Sequence, residues 1–242
     1  SVSIGAPYYN FAFNLLMAPI ILLMAFAPQI KWGEHKKKNN QTFYIIAISI
    51  VITAIVYYLL GNIFFALSVF ITMPLFIKSF LVFFKKVSKD RSFFAQWLAH
   101  LSIGLFIVAA VYTEQFDYEK NITFEKGDSN EIVLNEGASL LLENIKDSDL
   151  SNHQKISVDL IVVEKDLKFS LSPSKNIYQP SGQVTNEVST VNRYFDQYYA
   201  TISMIESDKV SINLVFKPFI NLLWISSILL VFSIFLSIIK RK

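Results

Sequence analysis

"FFAQWLAHLSIGLFIVAAVY", residues 93–112, is a run of twenty residues that contains no Lys, Arg, Asp or Glu. About twenty predominantly apolar residues are enough for a helix to cross the hydrocarbon core of a bilayer. The stretch therefore predicts a transmembrane helix. It also carries His100, and an ionisable side chain at membrane depth is costly and rare unless it has a partner or a function.

Four further stretches share this apolar character and are of similar length. Windows this apolar are typical of membrane spans and rarely form the cores of soluble domains. We therefore predict an α-helical integral membrane protein with about five transmembrane helices. The predicted spans cover residues 11–28, 43–60, 63–84, 93–112 and 218–239.

The overall composition agrees with a membrane protein and excludes several kinds of site. Hydrophobic residues make up 53% of the 242 residues and charged residues 17%, below the roughly 25% that is usual in soluble domains. The sequence contains no cysteine. It therefore has no disulfide framework, no thiolate metal site and no cysteine nucleophile.

Charge is unevenly distributed along the chain. Residues 113–214 contain 9 basic and 17 of the 19 acidic residues, which gives this block a net charge of −8, whereas the whole chain carries +3. The other basic residues lie next to apolar spans, as topology signals do, which argues against a nucleic-acid partner. Because Lys and Arg mark the cytoplasmic side, we expect the basic stretches 31–38, 85–91 and 240–242 in the cytoplasm. Residues 113–214 would then lie outside it.

Residues 113–214 are typical of a small β-rich domain. In KISVDLIVVE, residues 155–164, Val158, Leu160 and Val162 occupy every second position, as in a strand with one buried face. Further strand candidates are EIVL, LKFSLS, YYATISMI and SINLVF. We predict an antiparallel β-sandwich or barrel, extracytoplasmic and inserted before the last helix. The domains would be a four-helix transmembrane region (1–112), the β-rich domain (113–214) and a C-terminal transmembrane helix (215–242).

His100 is the first candidate functional residue. It lies roughly 10 Å from the cytoplasmic end of its predicted helix, too deep for an interfacial residue. A neutral imidazole in an apolar, aromatic setting suits a haem ligand, a proton relay or a substrate contact. The alternative is a histidine that bonds a neighbouring helix, with a glycine that allows close packing. Its neighbours one turn away are Gln96, Trp97, Ile103 and Gly104. This spacing allows Gln96 to orient a ring nitrogen through a hydrogen bond.

Three other residues carry weaker signals. Lys78 interrupts the third span, and its long side chain is expected to snorkel to the interface, the alternative being a pair with an anionic cofactor group. His35 lies among lysines in a loop, and His153 lies in a polar turn. Neither histidine has metal-ligating neighbours at a useful spacing, and His35 is expected to face water.

Several motifs carry a family resemblance when taken in order along the chain. They are GAPYYN (5–10) with LLMAPIILLM (15–24), WLAHLSIGLF (97–106), LSPSKNIYQPSGQVTNEVST (171–190) and VFKPFINLLWISSILL (215–230). Together they resemble the C-terminal part of the CcmF family, the membrane haem-lyase components of cytochrome c maturation. The chain starts at Ser1 with no recognisable signal peptide, and we expect it to be part of a longer or split protein.

The resemblance implies that His100, in LAHLSIG, is an axial iron ligand of a b-type haem within the membrane. Ser102 stands where the family more usually has glycine. The second haem histidine, the tryptophan-rich segment and the two outward-facing histidines of the family would lie in the missing N-terminal part. This chain would then share the haem with that part and hold no complete catalytic centre, since its tryptophans are isolated: Trp32, Trp97 and Trp224.

The function implied is participation in covalent attachment of haem to apocytochrome c. The partners implied are the N-terminal part of CcmF, the haem chaperone CcmE, CcmH/CcmI-type proteins and apocytochrome c, in a bacterial inner membrane with residues 113–214 in the periplasm. A mitochondrial inner membrane is the alternative location. Two rival functions stay open: a membrane-anchored sensor with a ligand-binding β domain, and half of a transporter with His100 on a proton path.

Overall fold

In the described part of the chain, four helices precede ten strands, and a fifth helix follows them. The computed structural model describes residues 6–26, 40–85, 91–125, 131–135, 138–164, 167–206 and 209–239. The chain divides into two compact units: a helical unit, Ser1–Gln115 with Leu222–Lys242, and a β unit, Phe116–Asn221. The helices are α1 (Ala6–Phe26), α2 (Gln41–Leu60), α3 (Ile63–Lys85), α4 (Arg91–Gln115) and α5 (Ile220–Ile238).

Four of these helices are long and apolar enough to cross a membrane: α2, α3, α4 and α5. In α1, residues Leu15–Ala25 form a shorter apolar stretch. The prediction of an α-helical integral membrane protein with a β-rich part before the last helix is confirmed. Within the helical unit, α3 packs against α1, α2 and α4, so α3 is the central helix.

A tight turn connects α2 to α3. Gly61 ends α2 at φ +66°, and its N–H donates to the carbonyl of Tyr57 at 2.8 Å. Glycine takes this left-handed conformation without the steric cost of a Cβ. The side chain of Asn62 then accepts a hydrogen bond from the Phe65 N–H and donates one to Gln115 Oε1 at 3.1 Å. The turn is thereby joined to the last residue of α4.

Seven hydroxyl side chains within the described helices bond to their own helix backbone. Each donates to a carbonyl three or four residues earlier, which is the usual way to satisfy a hydroxyl in an apolar environment. The donors are Ser49, Ser68, Thr72, Ser102, Ser226, Ser227 and Ser233.

The β unit consists of two antiparallel sheets. One contains four strands in the order β1-β10-β9-β8, and the other contains six, β2-β3-β4-β6-β7 with β5 beside β4. The strands are β1 (Tyr118–Glu125), β2 (Glu131–Asn135), β3 (Ala138–Asp149), β4 (His153–Glu164), β5 (Leu167–Leu171), β6 (Ser174–Tyr178), β7 (Val184–Glu187), β8 (Ser189–Arg193), β9 (Asp196–Ile205) and β10 (Lys209–Lys217).

Both sheets contribute to one hydrophobic core. Val158, Leu160 and Val162 of β4 are fully buried, as their alternation predicts, and pack in one cluster with Ile202 of β9 and Ile212 of β10. Burial of this apolar surface is the main favourable term that holds the two sheets together.

A partly buried ion pair joins the two sheets at the edge of this core. The guanidinium of Arg193 in β8 donates to both carboxylate oxygens of Glu164 in β4, and the hydroxyl of Tyr198 in β9 donates to Glu164 Oε2 at 3.2 Å. Burial and the adjacent Glu164 carboxylate raise the pKa of Tyr198 above its ordinary value. The three residues connect the sheets at this position.

Candidate functional site

His100 lies in the first half of α4, half-buried, with a defined ring orientation. Its Nδ1 is 2.7 Å from the backbone carbonyl oxygen of Gln96, one turn earlier. A carbonyl oxygen only accepts hydrogen bonds, so Nδ1 must be the donor. In the neutral ring, the hydrogen on Nδ1 leaves the lone pair on Nε2. His100 therefore presents Nε2 as the nitrogen able to bind a metal.

The sequence suggested that Gln96 orients the imidazole, and the structure assigns this role to its backbone. Every residue supplies a backbone carbonyl, so the orientation of His100 does not depend on the glutamine side chain. Sequence spacing alone does not show whether the acceptor is the side-chain oxygen or the backbone carbonyl oxygen of Gln96. The backbone bond also satisfies one ring nitrogen within α4 itself.

An aromatic cluster lies one turn before His100. The Trp97 ring stacks on Phe83 of α3, with centroids 4.7 Å apart, and lies 5.6 Å from the ring of Phe94. Its indole Nε1 is buried and makes no hydrogen bond within the part of the chain that the structure describes. A buried donor without a partner is uncommon and calls for an acceptor. Trp97 is thus a polar donor on the same side of α4 as His100, at i−3.

The turn after His100 packs closely against α3. A Cβ on Gly104 would lie 2.8 Å from Cζ of Phe76, which is closer than real Cβ atoms approach. Gly104 therefore allows α3 and α4 to pack tightly, as small residues do in membrane helix pairs. The packing role considered for Gly104 is present, and it does not conflict with a ligand role for His100.

Lys78 is buried in the helical unit, with an exposed fraction of 7%. The expected snorkelling to the interface is therefore not what the structure shows. The contacts Phe83–Trp97 and Phe76–Gly104 place Lys78 opposite Ser102. That position is about 3 Å along the helix axis from the level of His100. Lys78 and His100 therefore lie at similar levels along the helix pair.

Ser102 is fully buried and donates to the carbonyl oxygen of Leu98 at 2.7 Å. The hydroxyl is satisfied within its own helix, so serine is accommodated where the family more usually has glycine. Its presence leaves the imidazole of His100 unaffected.

His153, the other histidine that the structure describes, gives no second site. His153 is partly exposed, its Nδ1 lies 2.7 Å from Asn152 Oδ1, and its ring packs near Tyr178. His35 and Trp32 lie outside the described residues. In the ranges that the structure covers, no group of three or more His, Asp or Glu side chains is arranged to hold a metal ion.

The β unit contains a polar cluster around Glu187 on the edge strand β7. Ser174 and Asn176 of β6 and Lys155 of β4 donate to its carboxylate at 2.6, 2.9 and 3.0 Å. The hydrogen bond from Ser174, followed by those from Lys155 and Asn176, lowers the pKa of Glu187 from 4.5 to about 2. The cluster fixes neighbouring strands to each other, which is a structural role.

Sequence reasoning did not find the Glu164–Arg193–Tyr198 group, because its members are far apart in sequence and belong to different sheets. It treated Trp97 only as a neighbour of His100. The available signal was the spacing of three residues, which puts an indole N–H on the histidine's side of the helix. That the indole N–H has no acceptor is visible only in three dimensions.

Comparison with known proteins confirms the resemblance to CcmF. No family model matches the chain. It is 23% identical to the "Cytochrome c-type biogenesis protein CcmF" of Escherichia coli over 95% of its own length, and 24% identical to the Haemophilus influenzae protein of the same name over 100%. It is 24% identical to "Cytochrome c-type biogenesis protein CycK" of Rhizobium meliloti over 92%.

The fold agrees with the sequence comparison. A solved structure titled "Cytochrome c Heme Lyase CcmF" superimposes with a TM-score of 0.80 over 98% of this chain, at 13% identity. The chain spans 36–40% of the length of these three curated relatives and 41% of the solved chain. It is therefore similar, over nearly its whole length, to a part of CcmF, consistent with the C-terminal part.

Proposed function

We propose that this chain is the C-terminal portion or a split subunit of a cytochrome c haem lyase, and that His100 supplies one axial ligand to a b-type haem within the membrane. The observation that carries the proposal is the hydrogen bond from His100 Nδ1 to the Gln96 carbonyl. It selects the tautomer in which Nε2 is available to iron, and a backbone hydrogen bond of this kind is a common support for metal-binding histidines.

Two features of the chain fit a bound haem. The half-buried His100 offers one nitrogen ligand at membrane depth, which is one of the two that a low-spin haem takes. The buried Trp97 Nε1 offers a donor one turn away. When bound, a haem of this kind supplies electrons to the lyase reaction, which needs reduced iron and reduced thiols. The chain's own residues would orient the ligand and exclude water from it.

The second axial ligand and the residues that handle the haem being attached would come from the N-terminal part of CcmF. Further partners would be the haem chaperone CcmE, CcmH/CcmI-type proteins and apocytochrome c. The membrane would be a bacterial inner membrane, with the β unit in the periplasm. The similarity of this chain to only a fraction of each relative's length supports the view that the missing part completes the site.

The test compares haem content in the assembly of this chain with a co-expressed N-terminal part. We expect a low-spin b-type absorption spectrum for the unsubstituted assembly and its loss or strong weakening for His100→Ala. Alanine is a good helix former, so insertion should be retained. The matched control is His153→Ala, which removes a histidine that lies in the β unit and should leave the spectrum unchanged.

Two further arms separate ligation from folding. Added imidazole should partly restore the spectrum of His100→Ala, because it can occupy the vacated space beside the iron. This chain alone should bind haem poorly, because it offers one plausible ligand. Equal haem per folded protein in His100→Ala and the unsubstituted assembly would overturn the ligand assignment.

A further inference from the structure

The hairpin between β8 and β9 exposes two aromatic side chains at its tip. Arg193 and Asp196 are the last paired residues of the two strands, which leaves Tyr194 and Phe195 as a two-residue turn. Tyr194 is 85% exposed and Phe195 is 48% exposed. Large aromatic residues so exposed at a hairpin tip have no role in the core of the β unit.

Hydrogen bonds attach this turn to the start of α5. The backbone N–H of Asn221 donates to the Phe195 carbonyl at 3.0 Å, and the Asn221 side chain donates to the Tyr194 carbonyl, also at 3.0 Å. The Phe219 N–H donates to Asp196 Oδ1 at 3.0 Å. The position of the hairpin tip is therefore fixed relative to the residue at which α5 begins.

The length of α5 determines where that residue lies in the membrane. The apolar span Ile220–Ile238 contains 19 residues, which is about 28 Å of helix for a hydrocarbon core of about 30 Å. The whole length of the helix is therefore needed to cross the hydrocarbon core, and the basic sequence KRK follows it at 240–242. A membrane-spanning α5 of this length places Ile220 at the boundary of the hydrocarbon, and the hairpin tip is bonded to its neighbours Phe219 and Asn221.

The backbone conformations at Tyr194, and at Phe219 beside the tip, disfavour the residues at these two positions. Tyr194 has φ +48° and Phe219 has φ +57°, a left-handed conformation that favours Gly, Asn or Asp at such turns. The rings of Phe195 and Phe219 stack with centroids 6.1 Å apart. Aromatic residues that occupy strained backbone positions, where glycine would cost less, suggest that the rings have a function of their own.

We propose that Tyr194 and Phe195 form a lipid-interface anchor, seated among the phospholipid headgroups of the leaflet from which α5 enters the membrane. Aromatic side chains, Tyr and Trp above all, concentrate at this depth because an apolar ring and a polar tip are both satisfied there. The anchor would hold the β8–β9 hairpin against the bilayer. The occupant of this surface is thus lipid, continuous with the span of α5.

The chain offers a matched control for this surface. Leu150, in the turn between β3 and β4, is also a large apolar residue at a hairpin, 51% exposed. Because Glu164 at the end of β4 bonds Arg193 beside the anchor, the Leu150 turn lies the length of β4 away. Twelve strand residues span roughly 35–40 Å, so Leu150 lies at the far end of β4 from the anchor.

The sequence contains no cysteine, so single spin labels can be introduced at Tyr194→Cys and Leu150→Cys in the full chain in phospholipid nanodiscs. Collision rates are measured with oxygen, which concentrates in lipid, and with a nickel chelate, which stays in water. We expect several-fold lower nickel and higher oxygen collision rates at position 194 than at position 150. Equal nickel access at both positions would overturn the proposal. Low access to both reagents at position 194 would also overturn it, in favour of a protein occupant.

A second measurement leaves the residues unchanged. A phospholipid with a photoactivatable group at glycerol depth is irradiated with the unsubstituted chain, and adducts are mapped by mass spectrometry. Adducts are expected on the peptide that contains Tyr194 and Phe195, and none on the peptide that contains Leu150. Adducts on α5 without adducts on the hairpin tip would contradict the anchor.

Discussion

Phe76 of α3 and Gly104 of α4 touch so closely that a Cβ on Gly104 would lie 2.8 Å from the Cζ atom of Phe76. The contact lies one helical turn after His100, and the Phe83–Trp97 stack lies on the other side of the histidine. The two contacts fix the register of α3 against α4 around His100. Perturbation of this helix pair should therefore change the setting of the histidine.

Gly104→Ala should destabilise the helical unit by about 1 kcal/mol. Overpacking costs about 1–3 kcal/mol, which exceeds the roughly 1 kcal/mol that alanine gains over glycine in a helix. In a Phe76→Ala background the obstructing ring is gone, so Gly104→Ala should become neutral or stabilising. Unfolding by SDS titration in mixed micelles measures both values. The same loss in both backgrounds would show that Phe76 is not the cause.

Arg193→Met should destabilise the β unit by about 2 kcal/mol. It leaves the Glu164 carboxylate without its cation while Glu164 and Arg193 are only 17% and 22% exposed. The loss is smaller than the roughly 3–5 kcal/mol for breaking a fully buried pair, because water partly screens the charges. Amide hydrogen exchange of β4 and β9 measures the free energy of opening.

The control for Arg193→Met is Lys209→Met. It breaks the pair with Glu125, in which both side chains are at least half exposed, and such surface pairs contribute about 0–1 kcal/mol. A loss for Lys209→Met as large as that for Arg193→Met would mean that burial does not set the strength of these pairs.

Acid should weaken the β unit through Glu187. The hydrogen bonds from Ser174, Lys155 and Asn176 lower its pKa from 4.5 to about 2. A pKa that is lower in the folded state stabilises the fold above the unfolded value, and this contribution is lost as pH falls from about 4.5 towards 2. Carboxyl carbon NMR of the folded chain should give a midpoint near 2, and Ser174→Ala should raise it. A midpoint near 4.5 in the unsubstituted chain would contradict the cluster's effect.

The β unit should lie in the periplasm when the chain is expressed in a bacterium. The net charge of −8 in residues 113–214, against basic stretches next to the spans, motivates this orientation. Alkaline phosphatase inserted between the exposed residues Ser181 and Gly182 should be active. Green fluorescent protein inserted at the same position should show no fluorescence. A fusion after Lys242 should show the reverse. Fluorescence at 181–182 with no phosphatase activity would contradict the orientation.

The helices could be predicted from sequence because span length and composition determine them. The predicted stretch 93–112 lies within α4, which extends to Gln115, and the stretch 43–60 lies within α2, Gln41–Leu60. No tertiary information was needed, because in hydrocarbon the helix satisfies its own backbone hydrogen bonds.

The strands were predictable only where alternation is regular. β4 shows an unbroken alternation and was found, but β3 contains an irregularity between Leu142 and Asn144 that shifts its register against β4. The shift interrupts the period of two on which strand prediction depends. β7 and β8 each contain a single apolar residue, Val184 and Val191, so neither shows an alternation that strand prediction can use.

The candidate site could be predicted in identity but not in detail. The depth of His100 in an apolar run marked it as a functional candidate. The ring nitrogen that makes the hydrogen bond, and the backbone carbonyl that accepts it, are set by the side-chain rotamer of His100. The burial of Lys78 and of the Trp97 indole N–H depends on how α3 packs on α4, which one-dimensional spacing does not contain.

The pairing of β1 with β10 has a consequence for protein engineering. Tyr118 and Phe216 are opposite each other in the sheet, and Lys217 pairs with Asp117 at 3.2 Å, so the two ends of the β unit emerge side by side. A compact unit with adjacent ends can be inserted into another chain or removed from its own without breaking its fold. Residues 116–221 form such a unit, and a gene fragment for them should yield a chain that folds on its own.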